Sequence, residues 1–122
     1  MMRAKLKGIS SPDVELRTYW PEDEACFGFL VELQIGPENE KGADLFQIMV
    51  CTPDWIKAKY SDRKAVWGRH MLIVFEYDLT EIESAISRYV ESCAADHWHG
   101  LALKLSRIGG WEFEDYHPIY GS

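Results

Sequence analysis

From Met2 to Ile9 the chain alternates. Met2, Ala4 and Leu6 fall on one side, and Arg3, Lys5 and Lys7 on the other. A period of two is the mark of a half-buried strand, and the lysines suit an edge or a solvent face. Ser10-Ser11-Pro12-Asp13 breaks the pattern, and the stretch to Glu24, with Pro12 and Pro21 in it, reads as a long surface loop. Phe27, Phe29, Val31, Leu33 and Ile35 then recur at period two with Glu32 and Gln34 opposite, the clearest strand signal in the chain. Residues 36–42 are rich in turn formers, and Leu45 to Cys51 is a second strand, so the two make a β-hairpin with a longer loop. Thr52-Pro53-Asp54-Trp55 starts a helix that ends near Tyr60 or Ser61. Thr52 can cap it, Pro53 loses nothing at the first position, and Asp54 favours the positive end of the dipole. After a basic connector from Asp62 to Arg69, His70 to Tyr77 is apolar at nearly every position. That run predicts a central strand covered on both faces for part of its length.

Thr80-Glu81-Ile82-Glu83 fits a capping box, and Ile82, Ile86, Tyr89, Val90 and Cys93 follow on one helical face. Asp96 is placed to cap a further helix carrying Trp98, Leu101, Leu105 and Ile108, which Gly109-Gly110 stops. Trp111 to Glu114 alternates again, as a short returning strand or an extended arm. Strands followed by helices predict an α+β fold. The expectation is a single domain over residues 1–122, with a mainly antiparallel sheet of about four to five strands and two to three helices packed on one face.

Charge narrows the function classes. With 13 Lys and Arg against 20 Asp and Glu, the net charge is −7, which argues against a general nucleic-acid binder that must displace phosphate counterions. No stretch approaches the roughly 20 apolar residues that span a bilayer. Met1 to Lys7 is charged with no apolar segment behind it, so no signal peptide and no membrane association are expected. Cys26, Cys51 and Cys93 are spread apart without CxxC spacing, which suits reduced thiols in a cytoplasm rather than a disulfide framework.

Catalytic and metal-binding sets are weak. Cys93 and His97 are four apart and His99 is near, but four ligands for a tetrahedral metal do not emerge, so no metal and no cofactor are expected. Cys51, at the start of a helix, is the best candidate thiolate, with His70 as base and Glu76 as a third member. No local catalytic motif supports that set, and the simpler reading ends a buried strand at Cys51. Gly68-Arg69-His70 is a turn in which Arg69 pairs with acids near Glu81 and Glu83. A small enzyme built on Cys51 and a self-associating module stay open as alternatives, with a monomer or weak homodimer expected.

The acids are segregated. Residues 45–70 hold Lys57, Lys59, Arg63, Lys64 and Arg69 against Asp54 and Asp62, while the 11–24 loop, the 71–92 segment and the tail are acidic. The tail interleaves Trp111, Phe113, Tyr116 and Tyr120 with Glu112, Glu114 and Asp115. Aromatic side chains anchor an interface and acids steer a basic partner. Glu22, Asp23, Glu24, Trp111, Glu112, Glu114, Asp115 and Tyr116 are therefore the candidate binding residues.

Across nearly its whole length the chain resembles the immunity protein 8 family of bacterial polymorphic toxin systems. The resemblance rests on Ile9-Ser10-Ser11-Pro12-Asp13, Phe27-Gly28-Phe29, Val50-Cys51-Thr52-Pro53-Asp54-Trp55, Gly68-Arg69-His70, Tyr89-Val90-Glu91-Ser92-Cys93, and Trp111-Glu112-Phe113-Glu114-Asp115-Tyr116. It implies a small, non-enzymatic, cytoplasmic α+β protein that binds the C-terminal domain of a cognate toxin and blocks it. The acidic loops, rather than the motif residues, are then the interface candidates.

Overall fold

The long period-two run becomes β2 (Gly28–Pro37), and β3 (Asp44–Cys51) pairs with it antiparallel along its whole length, from Gly28 opposite Cys51 to Ile35 opposite Asp44. The computed structural model describes residues 1–113. β1 (Met2–Ser10) lies antiparallel on the other side of β2. Leu6 faces Ile35 and Ile9 faces Leu33, with Lys7 bulged out between them. The bulge puts two apolar residues three apart onto one face, which a regular strand cannot do. It also frees Lys7, whose ammonium bonds the carbonyls of Glu40 and Gly42 in the hairpin loop. That loop folds back hard on β2: a side chain at Gly36 would meet the Gly42 oxygen at 2.1 Å.

The remaining elements are α1 (Pro53–Lys59), β4 (Met71–Ile73), α2 (Leu79–Ser92), β5 (Ala94–Ala95), α3 (Trp98–Leu105) and β6 (Gly110–Trp111). Sheet order is β4-β3-β2-β1-β5, with β6 also on β3. β4 runs parallel to β3, and every other pairing is antiparallel. The α+β class with a mainly antiparallel sheet is therefore as expected. One face of the sheet carries Phe29, Val31, Leu33, Ile35, Phe46, Ile48 and Val50 into the core. Ile82, Ile86 and Val90 of α2 and Leu101, Ala102 and Leu105 of α3 close over them. The short α1 buries none of its residues. The Trp55 ring instead fills the space where a side chain at Gly28 would project, 2.3 Å from such a Cβ.

Several expectations need correction. His70 to Tyr77 is not a central covered strand. Only Met71–Ile73 pairs, at the sheet's edge, and Phe75 is 78% exposed. The other edge of β3 is shared in series: β6 takes Phe46 and Gln47, β4 takes Met49 to Cys51, and eight residues leave no room for a longer partner. At the handover His70 adopts φ 57°, its carbonyl accepts from Met49 N at 2.9 Å, and its Nε2 bonds the Ser106 carbonyl at 2.8 Å. These bonds hold a left-handed backbone that a non-glycine residue adopts only at a cost. α2 starts one residue before Thr80, capped by Asp78, whose Oδ1 accepts from Glu81 N at 3.1 Å. α3 is capped by His97, whose Nδ1 accepts from Gly100 N at 3.2 Å, not by Asp96. Glu81 pairs with Arg88 at 3.3 Å.

Thr52 behaves as its position predicts and does more. Its hydroxyl accepts from Trp55 N at 3.3 Å to cap α1 and from Phe27 N at 3.1 Å to hold the start of β2, and it is fully buried. Thr52→Val keeps the shape but orphans both donors. It should lower the unfolding free energy by about 2–3 kcal/mol in urea titration, with Thr52→Ser losing less than half of that.

Candidate functional site

The chain leaves the sheet after β4. Val74 N donates to the Cys51 carbonyl at 2.9 Å, and Tyr77 N donates to the Glu24 carbonyl at 2.9 Å. The two residues between these anchors, Phe75 and Glu76, are both exposed. Tyr77 itself is buried, at the centre of an aromatic cluster with Tyr19, Trp20 and Phe27 at ring separations of 5.5, 5.1 and 5.3 Å. Trp20 stands edge-on to Tyr77 yet is 63% exposed. An exposed aromatic braced from beneath has already lost its rotamer freedom, so docking onto it costs little entropy.

Trp20 and Phe75 line an open groove of about 640 Å³ together with Glu22, Asp23, Glu24 and Glu76. Among the described residues none of these four acids has a cation partner; Arg88 pairs instead with Glu81 on α2. Asp23 is engaged locally: its Oδ1 accepts from Ala25 N at 2.9 Å and shapes the turn. Burial raises the Tyr19 phenol above its ordinary range, and the nearby Glu22 carboxylate adds to that shift. The result is a braced Trp20 and an exposed Phe75 inside an acidic rim, the composition that anchors and steers a cationic partner.

The other expected binding residues lie elsewhere. Trp111 is in β6, stacked on Phe46, and its indole donates to Asp44 Oδ2 at 2.9 Å. Trp98 of α3 donates to the same oxygen at 2.7 Å. Glu112 accepts from Leu45 N at 2.9 Å through its side chain. These contacts fasten β6 and α3 to the start of β3, whereas Glu24 sits by the end of β3, roughly 20 Å away at strand spacing. Glu22, Asp23 and Glu24 are thus brought together, and Trp111 and Glu112 are apart from them. Glu114, Asp115 and Tyr116 lie outside the described residues. The fold adds Trp20, Phe75 and Glu76 to the acids that the sequence pattern marks. The signal for Trp20 was its place in an acidic loop, whereas Phe75 was hidden inside an apolar run.

The alternative chemistry is poorly placed. Cys51 is fully buried, and burial pushes its thiol up to about 11, the opposite of an activated thiolate. The ladder sets Cys51 beside Ile73, three residues beyond His70. Among the described residues no group of three or more His, Cys, Asp or Glu could hold a metal ion. His97 caps a helix and His99 packs against Trp111 at 5.7 Å. A depression of about 710 Å³ between residues 9–18 and the start of α2 mixes Glu15, Arg17 and Glu83 with aliphatic side chains and gathers no reactive set. Among the described residues no helix is long and apolar enough to cross a membrane.

A family model described as Immunity protein 8 matches residues 4–116. No curated protein and no solved structure matches the chain.

The burial of the thiols makes a direct check on the catalytic alternative. In the native protein a thiol reagent at neutral pH should label Cys26 alone, since Cys51 and Cys93 are buried, with all three reacting in denaturant. Fast native labelling of Cys51 would restore it as a nucleophile.

Proposed function

We propose that this chain, which belongs to the Immunity protein 8 family, binds the C-terminal domain of a cognate bacterial toxin and neutralises it by stoichiometric contact rather than by catalysis. The observation that carries the reading is the acid-rimmed pair of Trp20 and Phe75, a contact surface on a chain whose candidate nucleophile, Cys51, is buried. The partner of this surface is basic. A toxin that works on a polyanion must present a basic cleft to it. A face carrying Glu22, Asp23 and Glu24 competes for that cleft or for a basic surface beside it. Trp111 and Glu112, at the far end of β3, are proposed as a second contact group, and Glu114, Asp115 and Tyr116, outside the described residues, are proposed as toxin-binding residues as well. The protein would act in the cytoplasm of the toxin-producing cell and its kin, as one domain over residues 1–122, and needs no cofactor.

A net charge of −7 concentrated in such loops raises the encounter rate with a basic partner and makes it sensitive to salt. Co-expression with the toxin domain encoded beside it should restore growth, and the two should co-purify at one to one. Growth arrest with no complex would remove the immunity reading. Glu22→Lys together with Glu24→Lys should slow association about tenfold at low salt and leave dissociation nearly unchanged. An association rate unmoved by the double reversal would take that loop out of the interface.

A further inference from the structure

Among the described residues the edge of the sheet next to Phe75 is open. In a parallel ladder alternate residues spend both backbone groups on the neighbouring strand, and those between point theirs away. Met49 N donates to the His70 carbonyl and Val74 N donates to the Cys51 carbonyl, with Val50 opposite Leu72. Leu72 therefore faces β3, and the N–H and C=O groups of Met71 and Ile73 point outward. Among the described residues no segment pairs with them. The Ile73 side chain is 45% exposed.

Between this edge and α2 runs a groove of about 330 Å³. Its apolar wall includes Ile73, Phe75 and Ala85, and its acids are Glu76, Asp78 and Glu81. Arg88 pairs with Glu81, and Asp78 caps α2 through one carboxylate oxygen, so the rim keeps a negative excess. Phe75 and Glu76 line both this groove and the neighbouring one that holds Trp20, Glu22 and Glu24. The two form one continuous track of acids and apolar side chains along the outer edge of β4, which has no strand partner among the described residues.

An open edge beside an apolar trough and an acidic rim specifies its occupant by chemistry. Main-chain groups supply a hydrogen-bond register, Ile73 and Phe75 supply pockets for alternate apolar side chains, and the acids select Lys or Arg between them. Resting on the immunity reading above, we infer that the toxin domain inserts an extended, basic segment along β4, adding a strand to the sheet with its cationic side chains over Glu76 and Asp78. A three-residue edge with charged flanks is short enough to stay unpaired in the free protein and long enough to register one incoming strand.

The test is hydrogen exchange read residue by residue on this chain, free and bound to the catalytically inactivated toxin domain encoded beside it. In the free chain the Met71 and Ile73 amides should exchange fast. In the complex both should slow on the order of a hundredfold or more, as backbone-bonded amides do. Phe75→Ala, at an exposed position that leaves the core intact, should weaken binding about thirtyfold, while Lys57→Ala on α1 should change nothing. A one-to-one complex in which the Met71 and Ile73 amides exchange as in the free chain would overturn strand addition and leave the immunity reading standing. An unchanged affinity in Phe75→Ala would overturn the groove as the seat of the contact. No complex at all would remove both.

Discussion

β3 is eight residues long, and three segments compete for its two edges. β2 takes one edge entirely, and the other must be divided, with β6 at its start and β4 at its end. The division is possible because His70 turns the backbone through a left-handed conformation at the boundary, held by the Met49 amide and the Ser106 carbonyl. A Cβ at Gly110 would come within 3.4 Å of the His70 ring, so the arriving β6 strand also fits closely there. From this sharing follows most of what the surface looks like. β4 can be only three residues long, so the chain must leave the sheet at Val74, and Phe75 is carried into solvent.

The same constraint sorts the aromatic residues into two jobs. Trp98 and Trp111 converge on one oxygen of Asp44 and close the start of β3, where a strand of two residues could not hold itself. At the other end Trp20 stands on Tyr77 and lines one groove with Phe75, and Tyr77 anchors the acidic loop through its backbone bond to Glu24. The residues on which the family resemblance rests do scaffolding work. Thr52 joins α1 to β2, Trp55 covers Gly28, Cys51 and Cys93 are buried, and His70 makes the handover. The acids and exposed aromatics between these blocks are the part free to meet a partner.

Periodicity revealed the hairpin of β2 and β3 and the buried face of α2, because both repeat often enough for a pattern to emerge. Thr52 was legible because its hydroxyl serves a donor three residues away. What was not legible depended on distant partners. A run such as Met71 to Tyr77 has the same hydrophobicity whether it lies inside a sheet or beside its open edge. β5 is two residues, too short to show a period. Asp44 reaches indoles 54 and 67 residues away, which no local spacing signals. The caps moved by a residue or two, to Asp78 and His97, since each stretch offered several polar side chains and tertiary packing chose among them. Of the binding residues, Glu22, Asp23 and Glu24 were readable as an acidic loop, but the aromatic floor they surround exists only once residues 20 and 75 are folded together.

Neutralisation by one-to-one binding is tested by titrating the toxin's own activity. The purified toxin domain is held far above the expected dissociation constant, and this chain is added in steps. One-to-one neutralisation gives a linear fall in activity that reaches zero at one equivalent. Activity that persists at a large excess would contradict it, and so would complete loss at a small fraction of an equivalent, which would mark a catalyst.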